Sequence, residues 1–214
     1  MLVGGFDAYV IWRTTALETF LVGAVVGLLA LIYLVVNHPL GLIWRSLPAK
    51  ELAIGILFTA GILVALMPAA PSLNAPFVIT ALAFAALCVL NCISIAGWEG
   101  ELDRAQGKVS IATRHPRFTR RAAVICTGLA VTSLGVTFVQ GSASPALVCI
   151  SVSALLLAWL NVSADIKEGR FQNRPRSRNR GTNRRSLEID CDRRTALADL
   201  VLLTPFVALV ATAL

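Results

Sequence analysis

Six apolar runs, 17–36, 51–68, 77–97, 122–140, 145–162 and 196–213, carry few or no charges, and they narrow the choice of fold more than any other feature. A helix crossing about 30 Å of hydrocarbon needs about 20 such residues, with about 17–25 workable. Inside lipid every backbone N–H and C=O must be satisfied within the protein, so only helices and closed barrels span. The runs are continuous rather than alternating, which excludes a barrel built on a two-residue period. Hydrophobic residues make up 57% of the chain, charged residues 14%, and the mean hydropathy is +0.75. A soluble domain is nearer half apolar and a quarter charged. The expected fold is all-α, a polytopic transmembrane helical bundle of about six spans forming a single membrane domain over 1–214.

Charge sets the orientation. With six spans, the loops 37–50, 98–121 and 163–195 lie on one side and hold 18 of the 19 Lys and Arg residues; only Arg13 falls on the other. Lys and Arg concentrate in cytoplasmic loops. These three loops are therefore expected in the cytoplasm, both termini outside, and the protein in the cell (inner) membrane. The first fifteen residues carry Asp7 and Arg13 and lack the basic start of a cleavable signal. An outside N-terminus without such a signal fits a chain that lacks an odd number of upstream helices.

Several local features have plain structural readings. Cys88, Cys92, Cys126 and Cys149 fall in apolar runs, as small core residues, while Cys191 stands in a charged loop, so no disulfide framework is expected. His38 and His115 are too few and too far apart for a zinc site. Gly23 and Gly27 form a small-residue spacing that suits helix packing within the chain. Asn161-Val-Ser163 matches a glycosylation sequon, but at a cytoplasmic helix end it carries no meaning. Residues 168–194 hold Arg170, Arg174, Arg176, Arg178, Arg180, Arg184 and Arg185 without hydrophobic periodicity, and read as a basic disordered cytoplasmic loop. Phe171 is its only aromatic, so stacking with bases is not expected and no nucleic-acid partner is assigned. Asp199, near the start of the last run, reads as a first-turn acid favoured by the helix dipole.

The third run ends differently. Asn91, Ile95, Glu99 and Asp103 recur at spacing four from inside the membrane to its cytoplasmic mouth. On a continuing helix this sets an amide and two carboxylates on one stripe, neighbours being about 5–6 Å apart. Two carboxylates so placed repel unless a cation lies between them. Hard oxygen ligands at a membrane surface, with Arg104 and Lys108 close in sequence, suit Mg²⁺ holding a phosphate. The bland alternative is a basic loop with a few balancing acids.

Glu99-x-x-x-Asp103-x-x-x-Gly107-x-x-Ser110 resembles the second acidic motif of the UbiA-type intramembrane prenyltransferases. The segment from Tyr33 to Glu51 resembles that family's loop after its fourth helix, and Leu52-Ala-Ile-Gly55-Ile-Leu-Phe58 the glycine-containing helix that follows. The resemblance covers helices four to nine of a nine-helix fold, and it accounts for an N-out, C-out remainder. It implies Mg²⁺ bound by Glu99 and Asp103, and a polyprenyl diphosphate as membrane-borne substrate. It places Asn91, Arg45, Lys50 and Lys108 as candidates for diphosphate contact, Arg45 and Lys50 by location alone. The chain departs from the family by lacking the first acidic motif, since Asp7, Glu18 and Glu51 are scattered and Asn91 is followed by Cys92.

The expected function is therefore Mg²⁺-dependent prenyl transfer from a polyprenyl diphosphate to a lipophilic acceptor, once a missing N-terminal part or a partner chain supplies the absent motif. The alternative is a non-catalytic membrane protein that binds an isoprenoid on a degenerate version of the same scaffold.

Overall fold

A computed structural model of the chain describes residues 16–37, 49–66, 74–105, 107, 110–139, 144–172 and 193–203. Its elements are α1 (Leu17–Asn37), α2 (Ala49–Leu66), α3 (Ala75–Trp98), α4 (Gly100–Ala105), α5 (Ile111–Arg114), α6 (Pro116–Arg120), α7 (Ala122–Val139), α8 (Pro145–Gln172) and α9 (193–203). The described residues form helices and no strand, as the continuous apolar runs require. Among the described residues four helices are long and apolar enough to cross a membrane: Leu17–Val35, Ala75–Trp98, Ala122–Val139 and Pro145–Asp165. The described part of the chain is all-helical, and these helices mark an integral membrane protein. The expected second span corresponds to α2, with Lys50 and Glu51 in its first turn; most of the expected sixth, 196–213, lies outside the described residues.

Local chemistry sets the helix starts. Asn74 caps α3 by accepting the Phe77 N–H at 3.0 Å, with Pro76 in the first turn. Pro145 opens α8, where its missing N–H leaves no bond unmade. Within the apolar helices, hydroxyls bond back to the carbonyl one turn earlier: Thr59 to Gly55, Ser94 to Leu90, Thr137 to Ser133 and Ser151 to Leu147, all at 2.8–3.0 Å. This hides each polar group where water cannot reach it.

The core lies where α3, α7 and α8 meet. Phe84, Leu87 and Cys88 of α3, Cys126 and Ala130 of α7, and Leu147, Ile150, Ala154 and Leu157 of α8 form one buried cluster, joined by Ala198 of α9. The cysteines of the described spans are free, with Cys88 and Cys126 buried. α2 packs on α3 at a close crossing: a Cβ at Gly55 would stand 2.6 Å from Val89 Cγ2 and 2.8 Å from the Val89 backbone nitrogen. α1 packs on α2 at the periphery, where a Cβ at Gly23 would meet Val64 at 3.3 Å. At Gly27 one would meet nothing within 4 Å. Among the described residues only the first glycine of that spacing therefore faces another helix.

Two stretches differ in extent from the apolar pattern. α8 continues ten residues beyond the apolar run, through Asp165 to Gln172, so 168–172 of the expected loop are helical; 173–192 lie outside the described residues. The 98–121 connection contains three short helices. Ile111 and Ala112 are 5% and 4% exposed, and their burial draws α5 against α3 instead of leaving an open loop.

Candidate functional site

The polar residues at one end of α3 are arranged by that helix and by the α4–α6 turn that folds back on it. Glu99 is the C-cap of α3 with near-helical backbone angles, φ −82° and ψ −5°. Its N–H still bonds Ile95 C=O at 3.0 Å, and the Asp103 N–H bonds Glu99 C=O at 2.8 Å. The one-turn register therefore passes unbroken from α3 into α4. Glu99 and Asp103, both half-buried, stand one turn apart as their spacing predicts. Arg104, next along α4, is exposed.

Beyond α4 the chain turns at Gly107, whose φ is +66° and whose N–H bonds Arg104 C=O at 3.2 Å. A side chain with a Cβ disfavours that left-handed conformation by about 1–2 kcal/mol, which gives a physical reason for glycine here. Ser110 then caps α5. The Thr113 hydroxyl bonds both the Ser110 N–H and the Ser110 C=O, at 2.9 Å each, while Ser110 Oγ is buried without a partner.

Asn91 is 2% exposed and its Oδ1 has no hydrogen-bond partner among the described residues. Eight residues before Glu99, it lies about 12 Å deeper along the helix axis, too far to share one metal ion with the acidic pair. One turn beyond it, Ser94 receives the Asn161 side-chain N–H at 2.9 Å, and the same amide nitrogen donates to Leu157 C=O at 2.9 Å. Asn161 is thus an interhelical bond inside the bundle, which fits the dismissal of its sequon.

Of the diphosphate candidates, Lys50 is half-buried in the first turn of α2. Arg45 and Lys108 lie outside the described residues. The pattern of charges did not single out Glu51. It is 3% exposed and its Oε1 accepts the Ile111 N–H at 3.2 Å, so a buried carboxylate holds the start of α5 across 60 residues of sequence. Tyr33 and Cys92 lie within electrostatic reach of Glu51, and Cys92 within reach of Asp199. α5 also touches the acidic pair's helix, since a Cβ at Gly100 would stand 3.0 Å from Ala112 Cβ. One short helix therefore bonds the Glu51 carboxylate and packs on α4 at Gly100, next in sequence to Glu99. The available signal was Lys50-Glu51 at the very start of an apolar run, where a charge must find a partner or be driven out. Asp199 is an exposed residue of α9, and the residues just before this helix lie outside the described ones.

A groove of about 680 Å³ opens on the same end of the molecule. Leu52, Val89, Ile93 and Ile111 form its apolar wall, and Phe118 with His115, Arg117 and Arg121 forms its rim.

No protein-family model matches the chain, and neither a curated protein nor a solved structure matches it.

Proposed function

We propose that this chain is the larger part of an intramembrane prenyltransferase of the UbiA type, binding a polyprenyl diphosphate at its cytoplasmic face through Mg²⁺. The observation that carries this reading is the acidic pair: Glu99 and Asp103 half-buried, one turn apart on an unbroken register, followed by a turn in which Gly107 takes the left-handed conformation. The donor set suits the ion. Mg²⁺ takes six oxygens, keeps several waters, and is held by one or two carboxylates plus substrate phosphates. Glu99 and Asp103 would hold it, and Lys50 would add positive charge toward the diphosphate. When bound, the ion would neutralise the diphosphate as it departs.

In this reading the chain has six spans, both termini outside and the acidic turn in the cytoplasm of the inner membrane. Carboxylates from the facing side of the cavity come from an upstream part or a partner chain. Asn91, deeper in the bundle, would serve the substrate rather than the metal, its side-chain N–H being the group able to donate to a diphosphate oxygen.

The test is binding of farnesyl diphosphate to the purified full chain with Mg²⁺ and with EDTA. Mg²⁺-dependent binding that disappears in Glu99→Gln/Asp103→Asn is expected. Binding that is indifferent to EDTA and to both substitutions would remove the metal site and leave a non-catalytic isoprenoid binder.

A further inference from the structure

The groove beside α5 and α6 is lined by residues that the proposed metal site does not use. Its apolar wall reaches Val89, nine residues before the end of α3, so it descends about 14 Å along that helix from the level of Trp98. Its rim carries Arg117 and Arg121, both exposed, with exposed His115 beside them. One side of the wall is fixed, because Ile111 donates its N–H to the buried Glu51 carboxylate. The shape is graded in one direction: cationic at the membrane surface and apolar below it. A free anion would leave the apolar wall unfilled, and a neutral hydrocarbon would leave two guanidinium groups unmatched. An amphiphile with an anionic head and a long chain satisfies both.

We propose that this groove binds one anionic phospholipid of the surrounding bilayer, its phosphate between Arg117 and Arg121 and an acyl chain against Leu52, Val89 and Ile93. The phosphate accepts from the two planar guanidinium forks, which match phosphate oxygens in pairs. The chain lies against α2 and α3 near their close crossing. A lipid held there braces α5 and α6 against α3.

The full chain, purified in neutral detergent, is titrated with phosphatidylglycerol or phosphatidylcholine and weighed intact by native mass spectrometry. One tightly retained phosphatidylglycerol, preferred over phosphatidylcholine, is expected. Arg117→Gln/Arg121→Gln should weaken it roughly 30-fold, about fivefold for each cation removed from an anionic headgroup. Leu52→Trp, at a half-exposed wall position, should block the chain while the far-ultraviolet spectrum stays unchanged. Glu99→Gln/Asp103→Asn should retain the lipid, so this inference survives or falls separately from the prenyltransferase reading. Equal retention of both lipids, or unchanged retention in the double arginine variant, would overturn it. Release by millimolar inorganic phosphate would overturn it too, by assigning the rim to free phosphate. Mg²⁺-dependent displacement by farnesyl diphosphate would do so by making the groove part of the substrate site.

Discussion

α1 and α8 are both apolar enough to cross a bilayer, yet 6% of the α1 window is buried inside the molecule against 56% for α8. The difference lies in side-chain size and in where polar atoms fall. α8 turns Ala146, Ser151, Ser153, Ala154, Ala158, Asn161 and Ala164 inward, with Leu147, Ile150 and Leu157 filling the spaces between. α1 carries Leu21, Val25, Leu28, Leu29, Leu31 and Leu34 outward, and one of its two spaced glycines meets none of the described residues. In lipid the hydrophobic effect does not draw helices together, so close approach through small residues and interhelical hydrogen bonds does. Hydropathy therefore reports which segments enter the membrane, and small and polar residues report which of them pack.

The comparison breaks most visibly at Leu157, which is fully buried on α8. Leu157→Ala should cost about 2–5 kcal/mol in reversible unfolding from detergent micelles. Leu29→Ala on α1, half-exposed, should cost under about 1 kcal/mol by the same measurement, since it empties no packed space. Equal losses would show that both helices are packed alike. Next comes Gly55→Val at the α2–α3 crossing. Val89 backbone, not a flexible side-chain end, stands 2.8 Å from the added Cβ, so the helices must separate. About 1–3 kcal/mol is expected. Smaller again is Asn161→Ala, which deletes the bond to Ser94 and should cost about 1 kcal/mol, the scale of interhelical hydrogen bonds in membranes. Asn91→Leu is the counterpart. Its Oδ1 is buried without a partner, so stability should hold or rise while farnesyl diphosphate binding falls.

These contrasts also mark what the sequence could and could not say. Long uncharged runs announce helices because lipid leaves the backbone no other partner, and the described helices start and stop within a few residues of those runs. α8 overran its apolar run because Ala164 to Glu168 is a good helix-forming stretch that needs no hydrocarbon around it. The one-turn spacing of Glu99 and Asp103 was legible because the helical register needs only a count of four. Glu51 was not, since its partner, the Ile111 N–H, is a backbone group 60 residues away. No side-chain pattern records such a bond. The groove was hidden for the same reason: its wall and rim come from α2, α3, α5, α6 and the residue before α7, which meet only after folding.

The smallest expected effect probes the open side of α1. Nothing lies within 4 Å of a Cβ built on Gly27, so Gly27→Ala adds a methyl group that displaces only solvent or lipid. Alanine favours a helix interior over glycine by about 0.8–1 kcal/mol in water, so a small gain, at most about 1 kcal/mol, is expected. Gly23→Ala, whose methyl group meets Val64 at 3.3 Å, should gain less, because that side chain must first yield a few tenths of an ångström. The order of the two variants is the measurement. If Gly27→Ala instead loses more than about 1 kcal/mol in native membranes while gaining in detergent, protein covers that face in the cell. An upstream part or a partner chain completing the acidic site would then have a located contact. If it gains in both, α1 faces lipid, and a part supplying the missing carboxylates must approach along another helix.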